Sequence, residues 1–336
     1  MKIAVDVMGG DFAPDEILVG CVEALKRESG FNLVLFGDRG EIEKKLTQYS
    51  VKADRIEIIG TSEVITNDEA PTIAIKTKKD SSLVRAFEYT KNEEECIGMV
   101  SAGSTGAVLI GATLKIGRIK GINRPALAPM LPTILGGKVL LLDCGANVDC
   151  KSHMLYQFAI MGNAYMQSVC GIDKPKIGLL CNGTEDKKGN DLTKETFALL
   201  KADDNIDFVG NMEARDILTG NYDVVVADGF NGNIALKSAE GTATMMLKLL
   251  KREMMANLWT KIGAAILKKP FMRVKKIMDY NQSGGAPFVG VSKPIIKSHG
   301  ASKAESICGS IMQVLEMHKS KLIEKIEGAL NDRNPQ

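Results

Sequence analysis

The chain has 336 residues, 45% of them hydrophobic and 25% charged, which excludes a disordered chain and leaves room for a sizeable core. A formal net charge of +2 gives no global attraction to nucleic acid, and no run approaches the roughly 20 apolar residues of a membrane-spanning helix. Seven scattered cysteines form no C-x-x-C pair and only three histidines accompany them, so the expectation is a reducing compartment, with no metal and no cofactor.

In chain order, strand 2–7 begins without an apolar leader, which points to a cytoplasmic protein. Helix 14–27, strand 32–36, helix 41–48 and strand 55–59 follow. Two short helical patterns run from Pro71 to Tyr89, and strand 97–100 enters a helix opened by Ser104 or Thr105. Next come strand 138–142, helix 152–170, strand 176–181, helix 192–201 and strands 207–209 and 223–227. A long helical pattern starts near Asn231. This alternation predicts a mostly parallel sheet covered on both faces, in one α/β domain spanning 1–336 with a helical arm at 240–282.

Five of the apolar runs end abruptly in glycine, asparagine and acid. The junctions are Met8-Gly9-Gly10-Asp11, Ser101–Gly106, Asp143–Asp149, Cys181–Asn190 and Asp228–Asn233. Ligands bind just past the carboxyl ends of parallel strands, so these junctions predict one shared crevice. Neither G-x-G-x-x-G nor G-x-x-x-x-G-K-[ST] occurs, which disfavours the usual nucleotide sites. G-x-x-G occurs at Gly103–Gly106 and at Gly229–Gly232, each opening a helix, and N–H groups there suit a phosphate or carboxylate. The alternative is that these are structural turns. Asp6, Asp11, Asp143, Asp149 and Asp228 fit a role as acceptors of backbone N–H bonds better than a metal site. Asn147, Asn182 and Asn233 fit the same role, or donate to a bound carbonyl or phosphate oxygen. No G-x-S-x-G elbow exists, and His299 is the best placed of the histidines to touch a ligand.

Between Lys248 and Asp279 nine Lys/Arg oppose Glu253 and Asp279, a window of +7 in a chain of +2, which leaves −5 for the remainder. Apolar residues recur there at spacings of three and four, predicting two amphipathic helices broken at Pro270 and more weakly at Gly263. The apex holds Leu258, Trp259, Ile262, Ile266 and Leu267, flanked by lysines. It suits an anionic membrane surface, packing against a second subunit, or an acidic protein partner. Aromatic platforms for single-stranded nucleic acid are missing, so no nucleic acid is expected.

These motifs together resemble the bacterial phosphate acyltransferases of the PlsX type over nearly the whole chain. The resemblance rests on Ile3–Asp11 with Ala13-Pro14, Val100–Gly106, Arg124-Pro125-Ala126, Leu142–Asp149 and Gln157–Ala159 with Met161-Gly162. It continues in Lys187–Asn190, Gly210-Asn211, Asp228–Asn233, Leu236-Lys237, Glu240-Gly241, Gly284–Pro287 and His299-Gly300. Ser104 in place of asparagine, Gln282-Ser283 in place of a tyrosine and Phe288-Val289 in place of a leucine pair depart from the pattern. The resemblance implies a three-layer α/β/α sandwich related to phosphotransacetylases and isocitrate-type dehydrogenases. It also implies a homodimer on the inner membrane face that moves a long acyl chain from acyl carrier protein to inorganic phosphate. The acyl phosphate would pass to a membrane-bound glycerol-3-phosphate acyltransferase for phospholipid synthesis.

That reaction needs anion binding and alignment rather than a nucleophilic side chain. The expected contacts are Gly9, Gly10 and Asp11, backbone N–H groups at Gly103, Ser104, Thr105 and Gly106 and at Gly229 and Gly232, and the cations Arg124, Lys187 or Lys237. Asn147, Asn182, Asn233 and His299 complete the expected site. A short-chain phosphotransacetylase using coenzyme A and a non-catalytic membrane-docking scaffold remain as alternatives.

Overall fold

The computed structural model describes residues 1–49, 53–278 and 284–333. In order come β1 (Lys2–Asp6), α1 (Asp15–Arg27), β2 (Asn32–Gly37), α2 (Arg39–Leu46), β3 (Ile56–Gly60), α3 (Pro71–Thr77), α4 (Ser82–Asn92), β4 (Cys96–Ser101) and α5 (Thr105–Gly111). The middle holds β5 (Ala126–Leu127), β6 (Met130–Pro132), β7 (Lys138–Leu142), α6 (Ser152–Ser168), β8 (Lys176–Leu180), α7 (Asp191–Lys201), β9 (Asp207–Met212) and β10 (Val224–Val226). The last third holds α8 (Gly229–Met254), α9 (Leu258–Ile266), α10 (Lys268–Met278), β11 (Ala286–Val289), β12 (Ile295–Lys297), α11 (Ala304–Lys319) and α12 (Leu322–Asn331).

The strands make two sheets where the sequence predicts one. The larger has the order β3-β2-β1-β4-β12-β11-β5, and the smaller the order β6-β7-β10-β8-β9. Both are parallel except for one end: β11 runs antiparallel to β12 and β5, and β6 antiparallel to β7. The interior strands carry continuous apolar runs, as in Val139-Leu140-Leu141-Leu142 and Val224-Val225-Val226, because helices cover both faces. Burial of these runs is the dominant favourable contribution to the fold.

The chain crosses between sheets at Ala128-Pro129. On one side Ala128 N donates to Pro287 O at 3.0 Å beside β11, and on the other Leu141 N of β7 donates to Pro129 O at 3.1 Å. Asp143 closes the joint, accepting from Leu127 N of β5 at 2.8 Å on its Oδ1. The carboxyl edges of the two sheets therefore meet around one region.

Side-chain acceptors start several helices. Asp38, Ser81, Asn190, Asp228 and Asn257 each accept from the backbone N–H three residues on. The arm is three helices, α8 to α10, rather than two. Gly263 lies inside α9 without breaking it, since one glycine costs a helix only about 1 kcal/mol. Pro270 sits in the first turn of α10, where its missing N–H is tolerated, and the break falls at Leu267. Residue 240 lies within α8, and 279–283, including Gln282 and Ser283, fall outside the described residues.

Candidate active site

A crevice of about 150 Å³ opens where the two sheets meet. Its walls are Thr105 at the start of α5, Cys144 after β7, Asn233, Lys237 and Glu240 on α8, and Lys297 to His299 at the end of β12. The first junction stands behind it. Gly10 has φ +106° and packs on Ala102 and the Gly300 carbonyl, and Asp11 N donates to Gly300 O at 2.8 Å. The junctions after β1, β4, β7 and β10 thus converge. The fifth, Cys181–Asn190, does not line this crevice. Asn182 and Asn190 instead border a cavity of about 840 Å³, walled by Leu131, Leu180, Ile217, Ile234 and Met246.

The expected site residues divide accordingly. Thr105, Asn233, Lys237 and His299 line the crevice. Asn182 is on the larger cavity, while Lys187 and Arg124 are exposed and line neither. Gly103 N donates to Ser101 Oγ at 3.0 Å, beside Ser104 and Gly106 in the same turn. The first N–H groups of α5 have no intrahelical acceptor.

At α8 the predicted use of glycine is corrected. Gly229 N donates to Asn147 O at 2.8 Å and Gly232 N to Asp228 O at 2.9 Å, and both residues are buried. Both N–H groups are therefore already taken, that of Gly229 by the loop after β7 and that of Gly232 by the first bond of the helix itself. Glycine is required here because a Cβ on Gly232 would overlap the Asp143 carbonyl oxygen, and one on Gly229 the Asn147 carbonyl. Asn147 is also spent on structure. Its Nδ2 donates to Pro125 O at 2.8 Å and to Asp143 Oδ2 at 3.0 Å.

Among the crevice residues that the sequence reading does not place in the site are Cys144, Glu240 and Lys297. Lys237 pairs with Glu240 at 2.8 Å. Lys297 is only 7% exposed, and burial pulls its pKa down to about 8 against the opposite pull of Asp6 and Asp11. Desolvation, then the nearby positive charges of Lys297 and Lys237, hold His299 below its ordinary value. Its Nδ1 accepts from Ala301 N at 3.1 Å, leaving Nε2 as the ring's other polar atom. Asp143 is raised to about 6 by burial, although four N–H donors oppose the shift. The crevice so assembled combines cations, amides and open N–H groups, which suits an anion and a polarised carbonyl.

A family model described as "Fatty acid synthesis protein" matches residues 1–325. A phosphate acyltransferase of Clostridium botulinum (strain Loch Maree / Type A3) is 46% identical over 334 residues, covering 99% of this chain and 98% of that protein. This chain belongs to the PlsX-type phosphate acyltransferase family. A phosphate acyltransferase of Bacillus cereus (strain B4264) is 45% identical over 336 residues, with both chains wholly covered. Among solved structures, a phosphotransacetylase from Streptococcus pyogenes superposes with TM-score 0.60 at 19% identity, covering 96% of this chain and 94% of that one. A branched-chain phosphotransacylase from Enterococcus faecalis V583 gives 0.55 at 15% identity, covering 95% and 99%. At such identities the likeness establishes a shared three-layer α/β/α fold. PlsX-type phosphate acyltransferases are enzymes, and this one is an acyltransferase.

Proposed function

We propose that this acyltransferase moves a long fatty acyl group from acyl carrier protein to inorganic phosphate within the crevice between the two sheets. The observation that carries the reading is the convergence of the junctions after β4, β7 and β10 with the end of β12 on one small crevice that holds Asn233, Lys237, Lys297 and His299, in a member of this family. A phosphate oxygen attacks the thioester carbonyl carbon. The new C–O bond forms as the C–S bond breaks, and the sulfur leaves with the electron pair and takes up a proton as the carrier's thiol.

Phosphate is already nucleophilic at neutral pH, so no side-chain base is required. Lys237 and the N–H groups opening α5 offset phosphate and oxyanion charge, while Asn233 and His299 orient the carbonyl. Purified protein given palmitoyl-acyl carrier protein and phosphate should form acyl phosphate, trapped as its hydroxamate, only when phosphate is present. Activity confined to acetyl-coenzyme A would favour the short-chain reading instead.

The arm supports a second part of the proposal, peripheral attachment to an anionic membrane. None of the described residues of 237–277 is buried, and Leu258, Trp259 and Ile266 are 71%, 82% and 76% exposed. Lysines at 261, 268 and 269 flank them, as expected of a segment that dips apolar side chains below charged headgroups. Burying two such side chains contributes about 1.5–3 kcal/mol each, so the double variant Leu258→Ala/Trp259→Ala should bind anionic vesicles at least about 100-fold more weakly in flotation. Unchanged flotation would remove the apex from the membrane. Dimer formation, and delivery of product to a membrane-bound glycerol-3-phosphate acyltransferase, belong to the same proposal.

A further inference from the structure

Three side chains form a row where the larger sheet meets the crevice. Asp6, Ser101 and Lys297 are the last residues of β1, β4 and β12, and the parallel registers pair Asp6 with Ser101 and Ser101 with Lys297. Residues level with one another on neighbouring strands point to the same face of a sheet. A carboxylate, a hydroxyl and an ammonium thus stand side by side at the carboxyl ends of parallel strands, the edge that offers itself to ligands.

The row is hydrogen-bonded at one end only. Ser101 Oγ donates to Asp6 Oδ2 at 2.7 Å and accepts from Gly103 N. Asp6 Oδ1 is buried without a hydrogen-bond partner among the described residues. At the other end Lys297 Nζ donates to Ser298 O, its one hydrogen bond among the described residues, although an ammonium carries three donors. A buried charge without its counter-ion is costly, and the side chain lines the crevice wall. Around it stand Asp6 from β1, Asp11 from the turn after it, Lys237 and Glu240 from α8, and His299 beside it. Lys237 is more exposed and already paired with Glu240, whereas Lys297 makes no salt bridge among the described residues and feels Asp6 and Asp11 only from beyond contact distance.

We infer that Lys297 Nζ is the charged group that holds the phosphate oxyanion in the crevice. The assignment rests on the crevice being the transfer site, and it adds the residue that receives the nucleophile. Phosphate supplies an opposite charge within hydrogen-bond reach and the acceptors for the two remaining ammonium protons. Burial sets the working range, because the amine loses its proton near pH 8.

The test is calorimetric titration of inorganic phosphate into the full chain without acyl donor, followed by steady-state kinetics. A charge-assisted hydrogen bond of the usual strength predicts phosphate binding about 10- to 100-fold weaker in Lys297→Met. Phosphate KM should rise by a similar factor with the acyl-donor KM unchanged. Lys297→Arg should retain most of the affinity. It should also lack the fall in affinity that the parent shows as pH rises through about 8, since arginine stays protonated. Equal phosphate binding by the parent and Lys297→Met would overturn the inference, as would identical pH profiles for the parent and Lys297→Arg. The Arg variant keeps the test decisive if the Met variant melts early. A parent that binds phosphate through Lys297 yet makes no acyl phosphate would sink the transfer reading and leave this assignment standing.

Discussion

Asp143→Ala should lower the unfolding free energy by about 3–5 kcal/mol, read from urea denaturation. Asp143 is wholly buried, and its carboxylate accepts from Leu127 N at 2.8 Å, Ala146 N at 3.3 Å, Asn147 N at 2.6 Å and Asn147 Nδ2 at 3.0 Å. Leu127 belongs to the larger sheet and Asp143 follows β7 of the smaller one, so truncation removes a bond between sheets as well as acceptors for buried donors. The effect should depend on pH with a definite sign. The folded-state pKa, about 6, lies above the ordinary 3.8, so the folded state binds the proton more tightly. That share of stability is complete below about pH 4 and is lost as pH rises through about 6. The deficit of Asp143→Ala should therefore be larger at pH 5 than at pH 7.5. An equal deficit at both would show that burial does not govern this carboxyl.

Gly232→Ala should reduce kcat/KM by about 100-fold, because the added methyl meets backbone rather than a movable side chain. Overlap with the Asp143 carbonyl oxygen forces the first turn of α8 away from β7. Asn233, Leu236 and Lys237 move with it, and a misplacement of about 1 Å in an aligned site costs that order of rate. Gly241→Ala provides the contrast in the same helix. No atom lies within 4 Å of the position a Cβ would take there, so the substitution should stabilise the protein by up to about 1 kcal/mol. Equal activity of the two variants would show that the contact at Gly232 does not set the crevice geometry.

The alternating first half was legible because each buried strand is a continuous apolar run with a patterned helix behind it. β11 and β12 were not, being four and three residues long beside Gly284, Gly285 and Pro294. The division into two sheets was hidden for a different reason. It depends on whether Ala126-Leu127 pairs with residues some 160 positions later, and local pattern carries no such pairing. In the crevice, Asn233, Lys237 and His299 could be found because polar junctions mark strand ends. Gly229 and Gly232 were misassigned because glycine serves both to expose N–H groups and to let two backbones touch. Lys297 carried little signal, since one lysine after Ile295-Ile296 reads as an ordinary strand end until its neighbours Asp6 and Ser101 are known.

α8 has 26 residues without interruption, a rod of about 39 Å whose root bears Asn233 and Lys237 and whose far end carries the exposed arm. Measured along the rod from its tightly packed Gly232, Lys237 lies about 7.5 Å away and Met254 about 33 Å, the proportions of a lever. In a rigid rod held at Gly232, a sideways excursion of about 4 Å at the tip would be about 1 Å at the lysine. On that geometry, a contact that held the tip still would also limit the sideways movement of Asn233 and Lys237 at the root.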